Sequence, residues 1–158
     1  MRRRSTAVLA TIAALVMAVG GALSANAAEP ATAEDPLITA MLEEVPGGVV
    51  IAENRVVWPE LDMELIVQTD SAAHRRAVRN CATGRICAYD ALSLGGSALT
   101  FGTCGDHTIP SSFSAKSLAN ARTSGHVQAR NGSTVLSTVS AGAWNNVAGG
   151  FTSLRCYL

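Results

Sequence analysis

Apolar residues recur at helical spacing over 37–45, where Leu37, Ile38, Met41, Leu42 and Val45 share one side and Glu43 and Glu44 lie on the other. Asp35-Pro36 offers a cap and a first-turn residue, and Pro46-Gly47-Gly48 stops the run, so the pattern predicts a short helix. The period then changes. Residues 49–52 and 55–58, joined by Glu53-Asn54, and residues 63–68, after Pro59-Glu60, are β-prone runs that predict a hairpin or small meander. Trp58 is the one large aromatic before Tyr89 in the mature chain, and its expected job is to pack this arm onto the rest. Residues 69–80 are polar, contain His74, Arg75, Arg76 and Arg79, and read as a linker whose dibasic pair could also be a processing site.

From Arg85 onward the runs are short and strand-like: 85–89, 98–103, 126–129, 133–139 and 152–157, with Gly, Ser, Asn and Thr between them. Short strands with glycine-rich turns predict an antiparallel sandwich or barrel. The stretch from Cys81 to Cys104 organises this part, because it holds three of the four cysteines and two apolar runs, 86–89 and 98–101, around Gly95-Gly96.

The first 27 residues stand apart. Arg2, Arg3 and Arg4 precede an uncharged run, 7–23, and Ala25-Asn26-Ala27 offers small residues at both positions a signal peptidase reads. The run is only about 17 residues long and no stop-transfer cluster follows, so export is expected rather than a membrane anchor. In an oxidising compartment Cys81, Cys87, Cys104 and Cys156 are expected to form two disulfides, since the spacing lacks the paired C-x2-C pattern of a zinc site. Three pairings are open on the spacing alone.

Net charge is zero over 158 residues, yet it is divided. Residues 29–70 hold ten acids against Arg55, whereas 71–158 hold eight Lys or Arg against Asp90 and Asp106. An acidic arm lying on a basic domain and a solvated acidic segment both fit that division. Nucleic acid is not an expected partner, because the arginines are dispersed and few aromatics lie near them.

No catalytic arrangement stands out. Asp106-His107 lies near Ser111 and Ser112, but no G-x-S-x-G elbow accompanies it, and His74, His107 and His126 form no metal-ligand motif. Two asparagine-bearing stretches, 117–124 and 144–153, place Asn ahead of Thr-Ser. Their oxygens could bind a hard cation such as calcium, or could satisfy turns through their own backbone.

The pattern Cys81-x5-Cys87-x-Tyr89-Asp90, then Gly95-Gly96, Leu99-x-Phe101-x-x-Cys104-Gly105, Asn120-x-x-Thr123-Ser124 and the closing Asn145-Asn146 … Thr152-Ser153-Leu154-Arg155 resembles a family of secreted actinobacterial peptidase inhibitors with a βγ-crystallin-like fold. The resemblance covers about residues 80–158. It implies an all-β sandwich of two Greek-key motifs, a local bridge between Cys81 and Cys87, and hence a second bridge between Cys104 and Cys156. It also implies inhibition of metallopeptidases. In crystallin-type calcium loops the matching positions here are Asn120, Thr123 and Ser124, and Asn146, Thr152 and Ser153. Ala119 replaces the leading ligand of the first loop and extra residues are inserted before Thr152-Ser153 in the second, so at most a weak calcium site is expected, and no other cofactor.

The expected protein is therefore a secreted, non-enzymatic monomer with three parts: a signal peptide at 1–27, an acidic α/β extension and linker at 28–79, and the β-sandwich at 80–158. Its expected partner is a protein, an extracellular protease, met by the loops at 91–96 and 104–114. The alternative is a crystallin-like structural or cell-wall-associated module.

Overall fold

A computed structural model of the chain describes residues 35–68 and 81–158. The expected signal peptide and the linker at 69–80 lie outside the described residues.

Helix α1 (Pro36–Glu44) starts as its sequence dictates: the Asp35 carboxylate accepts the Leu37 N–H at 2.8 Å and Pro36 occupies the first turn. It ends where the Val45 N–H donates to the Met41 carbonyl, ahead of Pro46-Gly47-Gly48. Its inner face buries Ile38 and Met41.

Strands β1 (Val49–Ala52), β2 (Arg55–Trp58) and β3 (Met63–Ile66) follow as an antiparallel meander. Trp58 is buried and its indole N–H donates to the Val45 carbonyl at 2.9 Å, which ties the hairpin to the helix end. Gly48 is where the chain crosses that ring, since a Cβ there would lie 2.8 Å from the indole.

The remaining strands are β4 (Ile86–Tyr89), β5 (Ala98–Phe101), β6 (Asp106–Thr108), β7 (Ser117–Asn120), β8 (His126–Asn131), β9 (Thr134–Ser140), β10 (Trp144–Asn146) and β11 (Ser153–Tyr157). They fall into two antiparallel sheets, ordered β1-β2-β3-β5-β4-β7-β10 and β6-β11-β8-β9. The order contains a repeat. In each of the units β4–β7 and β8–β11, the first two strands form a hairpin, the third leaves for the opposite sheet, and the fourth returns beside the first. The exchanged strands β6 and β10 bind the layers to each other.

The seven-stranded sheet runs across the boundary expected near residue 80. Met63, Glu64, Leu65 and Ile66 of β3 pair with Phe101, Thr100, Leu99 and Ala98 of β5. One core cluster contains Ile38, Met41, Trp58 and Leu65 from the arm together with Ile86, Leu99, Leu118, Val127 and Leu154 from the β-rich part. The acidic segment is thus built into the sheet. Strand pairing and core packing hold it there; Arg85–Asp62 is the single ion pair between 35–68 and 81–158 among the described residues, and the Glu44 carboxylate adds hydrogen bonds to Ser111 and Ser112.

Both disulfides are present, Cys81–Cys87 and Cys104–Cys156. The short one lies on the outer face of the large sheet with Tyr89, Ala98, Ala119 and Leu94, and the long one fastens the chain after β5 to the last strand. Among the described residues no helix is long and apolar enough to cross a membrane.

Three strands, β6, β7 and β10, occupy stretches read from the sequence as loop. Ser117–Asn120 begins and ends on polar residues yet is buried along its whole length, because β4 and β10 pair with its two sides. Trp144–Asn146 is exposed throughout and Asp106–Thr108 nearly so, and neither carries an apolar alternation.

Candidate functional site

The two loops expected to make contacts differ in build. The stretch 104–114 contains strand β6, buries Ile109, Pro110 and Phe113, and is pinned by the helix: the Glu44 carboxylate accepts the N–H groups of Ser111 (2.6 Å) and Ser112 (2.9 Å) and the Ser112 hydroxyl (2.8 Å). Burial works against the charged form of Glu44, but these hydrogen bonds outweigh it and hold the carboxyl at about 2. This stretch serves as a joint between the layers.

The connection at 90–97 between β4 and β5 projects instead, with Leu92 58% exposed at its tip. Its base is closed by Asp90, whose N–H donates to the Ser97 carbonyl (3.2 Å) and whose carboxylate accepts the Ser97 N–H (2.8 Å). Gly96 (φ +74°) has to be glycine, since a Cβ there would strike the Asp90 carboxylate. Within the loop the Ala91 N–H donates to Gly95 and the Gly95 N–H to Leu92. Burial pushes the Asp90 carboxyl above its ordinary range, against the pull of the Ser97 N–H and the Lys116 charge. Neighbouring Tyr89 is fully buried without a hydrogen bond to its hydroxyl, and burial pushes its phenol up to about 12.

Ser93 and Leu94 both have φ +57°, two successive non-glycine residues in the left-handed region. Such a conformation costs on the order of 1 kcal/mol or more per residue and persists only where neighbours impose it. Here they do. The Ser93 N–H donates to Asn146 Oδ1 on β10 (2.7 Å), and the Leu94 N–H donates to Ser117 Oγ on β7 (3.2 Å). The Ser117 hydroxyl in turn donates to the Ala91 carbonyl (2.7 Å). Beside the clamp, Trp144 is half exposed and shares a shallow cavity of about 260 Å³ with Leu94, Ala119 and Cys81. The clamped Leu94 and the indole thus line one surface.

The residues matched to calcium loops are distributed differently. Asn120 is buried, with its amide N–H donating to Val139 (3.3 Å) and its oxygen accepting the Arg122 N–H (3.2 Å). Thr123 and Ser124 are exposed in the turn that leads into β8. Asn146 is committed to Ser93 on the large sheet, while Ser153 begins β11 on the small one, and Thr152 Oγ1 is 3.5 Å from the Arg130 carbonyl. Among the described residues no three His, Cys, Asp or Glu side chains cluster in a way that could hold a metal.

Nor does the Asp106-His107 pair assemble with the serines. Asp106 is ion-paired with Arg155, and His107 stacks on Phe101 (4.5 Å between ring centres) with Nε2 3.0 Å from the Thr103 carbonyl. Ser111 and Ser112 face Glu44. His126 stacks on Tyr157 at 4.7 Å, and His74 lies outside the described residues.

Compared with known proteins, the chain matches no family model, no curated protein and no solved structure. The sequence marks the 91–96 loop but neither the clamp nor Trp144 beside it. A partial signal is the pair of polar stretches 117–124 and 144–153, which contain Ser117 and Asn146, although nothing local ties either residue to Ser93 or Leu94.

Proposed function

We propose that the protein is an exported, non-catalytic binding protein that acts as a monomer and inhibits an extracellular peptidase by inserting the loop at 91–96 into the enzyme's cleft. The observation that carries this reading is the enforced left-handed pair Ser93-Leu94, held from two other strands with Leu92 exposed at the tip. A loop fixed before binding loses little conformational entropy on association, and each clamp that must break resists the distortion that cleavage requires. Inhibition is then stoichiometric occlusion; each disulfide lies wholly on one side of the loop, so a nicked loop would be held together by the pairing of β5 with β3 and β4.

Two features support the choice of a metallopeptidase as target class. One is the resemblance of 80–158 to secreted metallopeptidase inhibitors. The other is the pair of units with exchanged third strands in two antiparallel sheets, an arrangement in keeping with the crystallin-like sandwich that the resemblance implies.

The test is a titration of the purified, oxidised, secreted protein against a thermolysin-like enzyme and, in parallel, a serine protease. Expected is inhibition of the first at a one-to-one ratio, weakened by Leu92→Asp. Folded protein that inhibits neither at micromolar concentration would remove the inhibitory reading and leave a structural or wall-associated module.

A further inference from the structure

Strand β1 ends the seven-stranded sheet, and no described strand pairs with its outer edge. Edge strands are commonly shielded by a lysine or proline within the strand. β1 has neither, since its four residues, Val49-Val50-Ile51-Ala52, are all aliphatic. Val49 and Ile51 are 51% and 53% exposed. The strand is short and shifts register against β2 between Val50 and Ala52, which limits the ladder available to a guest and keeps its affinity modest.

Charge identifies the guest. Residues 35–54 contain no Lys or Arg. Glu53 directly follows β1, and Glu60 follows β2 at the end where Val57 pairs with Val49. Glu43, Glu53 and Glu60 are exposed and enter no ion pair among the described residues. Glu44 is met by neutral N–H and O–H donors and by no cation among the described residues. An apolar edge that no described strand pairs, with carboxylates at both ends that no described cation meets, suits a strand that is both apolar and cationic.

We infer that the β1 edge accepts, by strand addition, an extended segment of another polypeptide in which Lys or Arg alternates with apolar residues. The guest's backbone continues the sheet, its apolar side chains cover Val49 and Ile51, and its cations lie near Glu53 and Glu60. This surface is the edge opposite β10, so it is separate from the clamped loop, and the inference does not depend on the inhibitory reading.

The test is a titration of the oxidised chain with a capped ten-residue peptide of alternating Lys and Val, followed by calorimetry and by amide hydrogen exchange. Expected is a micromolar Kd that rises with salt, slowed exchange at 49–52, and a loss of about tenfold or more when alternate peptide nitrogens are methylated. Ile51→Lys should cause a similar loss. Because Ile51 is exposed, its circular dichroism should match the parent, and the methylated peptide tests the same point on unaltered protein. Equal binding of an alternating Glu-Val peptide, indifference to methylation, protection only at other residues, or no binding at millimolar peptide would each overturn the proposal.

Discussion

Asn146 Oδ1 accepts the Ser93 N–H at 2.7 Å across 53 positions of sequence, and through that bond an edge strand of three residues fixes the backbone of a loop from the other end of the β-rich part. Asn146→Ala removes the acceptor and frees Ser93 to leave the left-handed region. The expected cost to folding is about 1 kcal/mol, the net worth of one such bond, because the loop is exposed and water can replace the amide. Inhibition should fall more steeply, by about tenfold or more, since the loop must then be ordered on binding. Asn146→Asp keeps an acceptor and should retain most of both. Denaturant unfolding and an inhibition titration on the same three proteins check the difference; equal losses in stability and inhibition would mean that the clamp acts only structurally.

Glu44 sets a second, pH-dependent tie. Its folded carboxyl is held at about 2, below the ordinary 4.5. A depressed carboxyl contributes stability that is complete above its unfolded pKa and is lost as pH falls through the folded one, here from about 4.5 to about 2. The group is largely open to solvent, so screening reduces the effect to about 1 kcal/mol. Melting curves between pH 6 and 2, read against Glu44→Gln, should show a larger acid-induced fall in the parent than in the variant. Parallel curves would mean that the three hydrogen bonds add nothing in solution.

How far the chain can be read without coordinates depends on whether its signals are local. Helix α1 and the β1–β2 hairpin were legible because Asp35-Pro36, Pro46-Gly47-Gly48 and Glu53-Asn54 punctuate them within a few residues. β7 was hidden because Ser117–Asn120 is buried by neighbours on both sides and needs no apolar alternation of its own. The join of β3 to β5 was hidden for another reason: it pairs residues more than thirty positions apart, with 69–80 between them. In the candidate site the tip at 91–96 was legible from Gly95-Gly96. The left-handed Ser93 and Leu94 were not, since neither residue type announces that conformation and the partners that impose it lie on β7 and β10.

The two disulfides should contribute unequally. Cys104–Cys156 spans 52 residues and Cys81–Cys87 spans six. Chain-entropy reasoning assigns about 4 kcal/mol to the first and about 2 kcal/mol to the second. Cys104→Ser with Cys156→Ser should therefore lower the unfolding midpoint in denaturant more than Cys81→Ser with Cys87→Ser. The reverse ranking would place the main constraint on the outer face of the large sheet, beside Tyr89 and Ala98.

Calcium should leave the fold almost unmoved. Asn120 and Asn146 already give their side-chain oxygens to backbone N–H groups, and a calcium ion needs six to eight oxygens converging on one point. Raising calcium to about 5 mM should shift the melting temperature by less than about 1 °C, where a saturated site would add stability through mass action. A clear upward shift, lost in Asn120→Ala, would restore the ion to the loop before β8.

Asp90 titrates in the opposite sense to Glu44. Burial raises its carboxyl above the unfolded value, so the folded state favours the protonated form and carries a penalty at neutral pH that is relieved as pH falls through the folded pKa. Asp90→Asn keeps an oxygen for the Ser97 N–H while removing the buried charge. The variant should be at least as stable as the parent at pH 7, and its advantage should shrink on acidification. Because Gly96 packs directly against this carboxylate, the loop geometry and hence the inhibition should survive the change, whereas Gly96→Ala should destroy both. A destabilised Asp90→Asn at pH 7 would mean that the ionised carboxylate itself, through Ser97 and Lys116, is what closes the base of the loop.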